Sequence, residues 1–375
     1  MHSWNRGFLM SHLVAEDRDP LRAQHQHTNL YTDLLRTVRE LGLLRRRRGY
    51  YFTRIGLVLG AFAAVWVGFG LLGNSWFQLL IAAALALVLT QVAFLSHDSA
   101  HRQIFDSAGW NDWTARMLAG GLVGISASWW RSKHSRHHQA PNQLKKDPDI
   151  DIGVVAFTPE HAGRRTGFQA WLTRRQGWLF FPLLTLEGLS LYVASVQHLF
   201  RRSATKLDRI EAAIVVSRLA GYLTVLFLLL PVSKAGAFLG LQLAIFGICL
   251  GGAFAPNHTG MPLVPRTMKL DFLRRQVLMS RNVRGGVLTD FAMGGLNYQI
   301  EHHLFPNMPR PTLRRVQPIV REYCELHGVK YTEVSLFTSY RVIVDYLNNV
   351  GLRARDPFDC PLAADLRSAA GRNLA

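Results

Sequence analysis

The sequence predicts an all-α integral membrane protein: four transmembrane helices in two hairpins, an interfacial helix between the hairpins, and a cytoplasmic histidine-rich helical cap. Three observations carry that prediction. Hydrophobic residues make up 49% of the 375, and they gather into long runs that begin only after residue 54. A helix needs about 20 apolar residues to cross the hydrocarbon core. The connecting segments are basic, giving a formal net charge of +18, and histidines cluster just beyond the ends of apolar runs.

Residues 1–54 read as a basic cytoplasmic N-terminal segment that ends in Arg45-Arg46-Arg47-Arg48. Arginines flanking a first span hold that end in the cytoplasm. No apolar stretch follows the first basic residues, so no cleaved signal is expected and insertion falls to the first span. Residues 55–72 and 76–95 follow, joined by Gly73-Asn74-Ser75, and form the first hairpin. Residues 210–230 and 236–255 form the second, turning at Pro231. The apolar region 178–200 contains Pro182, Glu187 and His198 and has arginine pairs on both flanks. Two basic flanks oppose crossing, and an even number of spans must separate histidines that share one face, so this region is assigned as interfacial or re-entrant. The membrane domain is therefore 55–351, with 352–375 a loose tail.

The charge excludes little by itself. A net +18 in a soluble chain suggests nucleic acid, but no aromatic-interleaved basic stripe is present, and basic loops facing anionic headgroups account for it. Cys249, Cys324 and Cys360 are too scattered for a disulfide framework or a thiolate metal site.

The chemistry lies in the histidines. His97 and His101 stand at i and i+4, one face of a helix. With 15 histidines in the chain, chance alone supplies roughly 0.6 such pairs, so this one is weak evidence. The triple His134, His137 and His138 arises by chance only about 0.02 times. Its adjacent pair points about 100° apart on a helix, which suits service to two metals. Gln299-Ile300-Glu301-His302-His303 repeats the pattern with Gln299 in the leading place, and Asn257-His258 sits at the end of the last span. Eight imidazoles suit two metals of the iron, copper or zinc type at about four ligands each. Zinc hydrolysis usually adds carboxylate ligands and needs no apolar chamber. His2, His12, His25, His27, His161, His198 and His327 fall outside these groups.

These boxes, in this order around two hairpins, resemble the membrane-bound fatty acid desaturase family over roughly residues 50–320. The Gln-x-x-His-His box resembles that of front-end desaturases and of bacterial acyl desaturases grouped with them. The resemblance implies two non-haem irons that activate dioxygen, removal of two hydrogens from neighbouring methylenes, and a fatty acyl-CoA or acyl-lipid substrate. It implies iron ligation by His97, His101, His134, His137, His138, His302 and His303, with His258 the eighth. The acyl-CoA branch places an asparagine four residues before a histidine here, whereas Asn257 immediately precedes His258, and the role of Asn257 stays open. Gln299 is either a weak ligand or an orienting group. Asp98, Asp147 and Asp149 are candidates to receive ligand N–H groups.

Many front-end relatives carry a fused cytochrome b5 domain, marked by His-Pro-Gly-Gly, and this sequence has no such motif. Electrons are then expected from a separate ferredoxin, cytochrome or flavin reductase. The resemblance favours acyl-CoA and the Δ9 position, with a Δ6-type front-end or acyl-lipid enzyme second. A related hydroxylase and a catalytically inactive sensor are the rival functions. Trp129 and Trp130 read as substrate-tunnel wall or as headgroup anchors, and Arg131, Lys133, Lys145 and Lys146 as phosphate contacts or solvated charges. The expected location is a bacterial inner membrane, with the site and both termini cytoplasmic.

Overall fold

The computed structural model describes residues 30–151, 153–201 and 205–353. Most of the N-terminal segment and nearly all of the tail, with His2, His12, His25, His27 and Cys360, lie outside them.

Helix α1 (Leu30–Glu40) belongs to the cap. Helices α2 (Arg48–Leu72) and α3 (Gln78–Ala100) form the first hairpin. Gly73, at φ 52°, takes the left-handed conformation that ends α2 and turns the chain. The Gln78 amide then donates to the Phe69 and Gly73 carbonyls at 2.7 and 2.9 Å, closing the last turn of α2 and fixing the hairpin tip. The segments 55–72 and 76–95 expected to span are largely helical here, but α2 starts seven residues earlier and α3 runs five further. Helical hydrogen bonding does not stop where apolarity does, and the extra turn of α3 carries His97.

Helix α4 (Ala108–Arg116) continues into a π-helical stretch, Met117–Val123, which stops at Gly124. Helix α5 (Ala127–Gln139) starts at Ser126, whose hydroxyl accepts from the Trp129 N–H. Short helices α6 (Pro159–Gly163) and α7 (Gly167–Thr173) lead to α8 (Phe180–Leu199). The second hairpin is α9 (Lys206–Leu229), begun by a Thr205/Asp208 capping box, and α10 (Val232–His258). Pro231 separates them because proline cannot continue α9. Tyr222 donates to the Gln242 side chain at 3.2 Å across this hairpin.

Among the described residues five helices, α2, α3, α8, α9 and α10, are long and apolar enough to cross a membrane. Helix α8 is the least apolar of them, with mean hydropathy 1.2 against 2.0 or more for the others. Its backbone packs on α10: a Cβ on Gly188 would meet the Leu243 carbonyl at 2.4 Å, and one on Gly247 the Leu184 carbonyl at 2.3 Å. Phe180 and Leu184 near its start cluster with Ala255, close to the His258 end of α10. Leu199 at its finish clusters with Ala212 and Val215, near the start of α9.

The cap is completed by α11 (Phe272–Leu278), β1 (Asn282–Arg284), α12 (Val287–Ala292), α13 (Gln299–Leu304), α14 (Arg310–Leu326), β2 (Glu333–Ser335) and α15 (Leu336–Arg353). The two strands pair in parallel, Asn282 opposite Glu333. One apolar core joins α2, α3, α9 and α10, and a second joins α1, α11, α13 and α14. The histidines lie where the two cores meet.

Candidate metal centre

Four elements deliver the eight histidines. His97 lies on the last turn of α3 and His101 caps that helix. His134, His137 and His138 lie along α5. His258 ends α10, and His302 and His303 lie on α13. The side-chain nitrogens of His97, His101, His134 and His302 lie within 4.8 Å of one another, and so do those of His137, His258 and His303. His138 sits between the groups. Its Nε2 is 2.9 Å from His134 Nε2, and its ring stacks on His303 with centroids 4.1 Å apart. All eight expected residues are therefore brought together, and His137 and His138 diverge toward different groups.

The surrounding hydrogen bonds decide which nitrogen of each ring is free. His137 Nδ1 donates to Asp147 at 2.9 Å, and Asp147 in turn accepts backbone N–H groups from Asn142 and Asp149. His258 Nδ1 donates to the Met279 carbonyl at 3.0 Å. The Gln276 amide nitrogen donates to the His138 carbonyl, so its oxygen is the atom facing His303 Nδ1 at 2.9 Å. Each of these three rings thus carries its proton on Nδ1 and presents an Nε2 lone pair inward. The Nε2 atoms of His137 and His258 face each other at 3.3 Å, and the Gln299 amide approaches the same His258 Nε2 at 2.8 Å. In the other group, His97, His101 and His302 each bury an Nε2 that has no partner, as does His303. Buried polar atoms are normally paired, so orphans converging on one point fit metal ligation.

Electrostatics agree. Burial holds the pKa values of His134, His138, His302 and His303 well below that of free histidine, with neighbouring imidazoles adding to the effect. Burial takes His101 down to about 3. These rings are neutral near pH 7 and can donate lone pairs. For His137 burial acts the same way, but the Asp149 and Asp147 carboxylates outweigh it and its pKa is raised.

The other candidates take distinct places. Asp98 lies 3.5 Å from His97 Nδ1 and forms a buried ion pair with Arg310 at 2.6 Å. Asp149 lies 3.3 Å from His137 Nδ1 and pairs with Lys133 at 2.8 Å. Gln299 donates to His258 Nε2 at 2.8 Å and accepts from Asn257 at 3.3 Å. Arg131 pairs with Asp112, while Lys145 and Lys146 are exposed. A cavity of about 280 Å³ runs from His97, His134 and His137 to Leu184, Leu191 and Leu250. Trp129, Trp130 and Lys133 line it, so the tryptophans sit at its wall, and Trp130 stacks on His134 at 4.1 Å.

Gln276, Arg310 and Glu301 are not marked as site residues by the sequence pattern. Glu301 is fully buried and accepts from Asn282 and Tyr331, each at 2.7 Å, and burial pushes its carboxyl up to about 7. Its place inside the third box was the available signal; Gln276 and Arg310 stand in no motif.

The fold and site define a class: a helical membrane protein with eight clustered imidazoles able to bind metal beside a largely apolar cavity. The family model described as fatty acid desaturase matches residues 74–335. The chain belongs to the fatty acid desaturase family. It is 30% identical to bovine fatty acid desaturase 3, over 93% of this chain and 80% of that one. It is 27% identical to a Delta(8)-fatty-acid desaturase 2 from Arabidopsis thaliana, over 88% of this chain and 78% of that one. It is 29% identical to an acyl-lipid (9-3)-desaturase from the moss Physcomitrium patens, over 73% of this chain, and spans only 54% of the moss enzyme.

Proposed function

We propose that the protein is an oxygen-dependent fatty acyl desaturase that places a cis double bond in an acyl chain, using two iron ions held by the eight histidines. The observation that carries this reading is the pair of imidazole groups, in which Nε2 of His97, His101, His302 and His303 is buried without a protein partner, opening on a largely apolar cavity. His97, His101, His134 and His302 would hold one ion, His137, His258 and His303 the other, with His138 between them. Bound iron would supply, with dioxygen and electrons, the oxidising power to take two hydrogens from adjacent methylenes.

The chain's own residues do the rest. Leu184, Leu191, Leu250 and Phe254 exclude water and hold the acyl chain against the histidines. Asp147, Gln276 and the Met279 carbonyl hold three imidazoles with their lone pairs inward. Gln299 lies 2.8 Å from His258 Nε2, the nitrogen that would ligate iron, so its amide would have to yield that atom to the metal. Electrons come from a separate protein, and exposed Lys145 and Lys146 suit an acidic donor. The site faces the cytoplasm, with α2, α3, α9 and α10 spanning and α8 lying obliquely.

For substrate, acyl-CoA and the Δ9 position are the first reading. A relative named acyl-lipid and another named Delta(8) make an acyl-lipid or a front-end position the second. Fatty acid profiling by double-bond position, after expression in a host without its own desaturase, tests this. New unsaturated acids that vanish in His302→Ala support it; an unchanged profile with the protein present and iron-loaded supports an inactive sensor.

A further inference from the structure

Within the second histidine group, His303 is tied to α11 through a side chain that belongs to none of the histidine boxes. Gln276 lies on α11, is 0% exposed, and spends both ends of its amide on the centre. Its nitrogen donates to the His138 carbonyl at 2.9 Å and its oxygen accepts from His303 Nδ1 at 2.9 Å. The neighbouring Arg275 donates to the Gln139 carbonyl at 3.0 Å, so α11 grips the end of α5 at two successive residues. His138 and His303, the residues Gln276 joins, stack ring on ring, their planes 12° apart. An amide is suited to this place. The carbonyl at one end fixes which way round it sits, and that orientation makes the other end an acceptor, which in turn keeps the His303 proton on Nδ1.

We propose that Gln276 is a positioning residue for the His137–His258–His303 metal position: by accepting from His303 Nδ1 it keeps Nε2 free and aimed inward. This rests on the two-iron reading above. His97, His101, His134 and His302 make no hydrogen bond with Gln276, so its loss acts on one ion and spares the other.

Iron per chain, measured on purified full-length protein across a chelator series, tests the proposal, with thermal unfolding of each variant as a folding control. Gln276→Met keeps the length and removes both hydrogen bonds; Gln276→Glu keeps an acceptor for His303 but has no N–H for the His138 carbonyl. The expected result is loss of one iron from Gln276→Met at chelator concentrations about 10–100-fold lower than for the natural protein, with the second iron retained. Gln276→Glu should hold both irons nearly as well as the natural protein. Equal loss in both variants would show that the residue only braces α5, and two irons retained in Gln276→Met would show that it does not position His303; either overturns the proposal. A natural protein that holds no iron would instead remove the two-iron reading itself.

Discussion

His137 and His138 are neighbours in sequence, yet His137 joins His258 and His303 while His138 lies against His134. That division follows from the 100° step of a helix, and the adjacency of the two residues is enough to predict it. Less legible was the difference between Gln299 and the histidines beside it. The Gln299 amide reaches His258 as a donor, whereas His302 buries an orphan Nε2 among three other imidazoles. His302→Ala should lower desaturation at least about 100-fold, beyond the effect typical of a ligand's hydrogen-bond partner. Gln299→His should keep measurable activity. Product assays on equal amounts of membrane-inserted protein check both. Protonation supplies a second test. Five rings, His101, His134, His138, His302 and His303, have depressed pKa values, so the folded chain takes up fewer protons than the unfolded one below the free-histidine pKa of about 6.5. Their stabilising contribution is present above that value and is lost as pH falls toward the folded values. His137 and Glu301, both raised, work in the opposite sense, but are two against five. The metal-free protein should therefore melt at progressively lower temperature as pH drops from 7 to 5; a flat or rising melting temperature would contradict the buried, neutral cluster.

Apolar run length located all five long helices, but not where they stop. Helix α10 continues to His258, with Pro256 inside it, because the backbone still finds its hydrogen bonds at the membrane exit. Nothing in a hydropathy pattern marks the Gly188–Gly247 contact either, since the signal is a matched absence of side chains on two distant segments. Gly247→Leu forces the backbones of α8 and α10 apart and should cost about 1–3 kcal/mol, read as a lowered melting temperature in detergent. Helix α8 also carries the topological prediction. Both its ends contact residues near the cap side of the second hairpin. In a chain with its native cysteines replaced, Arg174→Cys and Arg201→Cys should be labelled by an impermeant thiol reagent from the same face of the membrane. Labelling from opposite faces would make α8 a fifth span.

Across the whole molecule, the histidines came within reach of sequence because ligand type and spacing are local properties. The groups that orient them did not. Gln276, Arg310 and the Met279 carbonyl reach the centre only through the packing of α11, the start of α14 and the residue that ends α11. Their elements meet the long apolar helices at eight imidazoles, beside a cavity lined mainly by α3, α5, α8 and α10. A cavity of this kind would hold an acyl chain beside iron whether the outcome is a double bond or an added oxygen, so the fate of the oxygen atoms separates a desaturase from a hydroxylase most directly. Purified protein, loaded with iron and supplied with an acyl substrate, a reductant and ¹⁸O-labelled dioxygen, should yield an unsaturated acyl product free of label, with the label recovered in water. Label incorporated into a hydroxylated acyl product would contradict a desaturase.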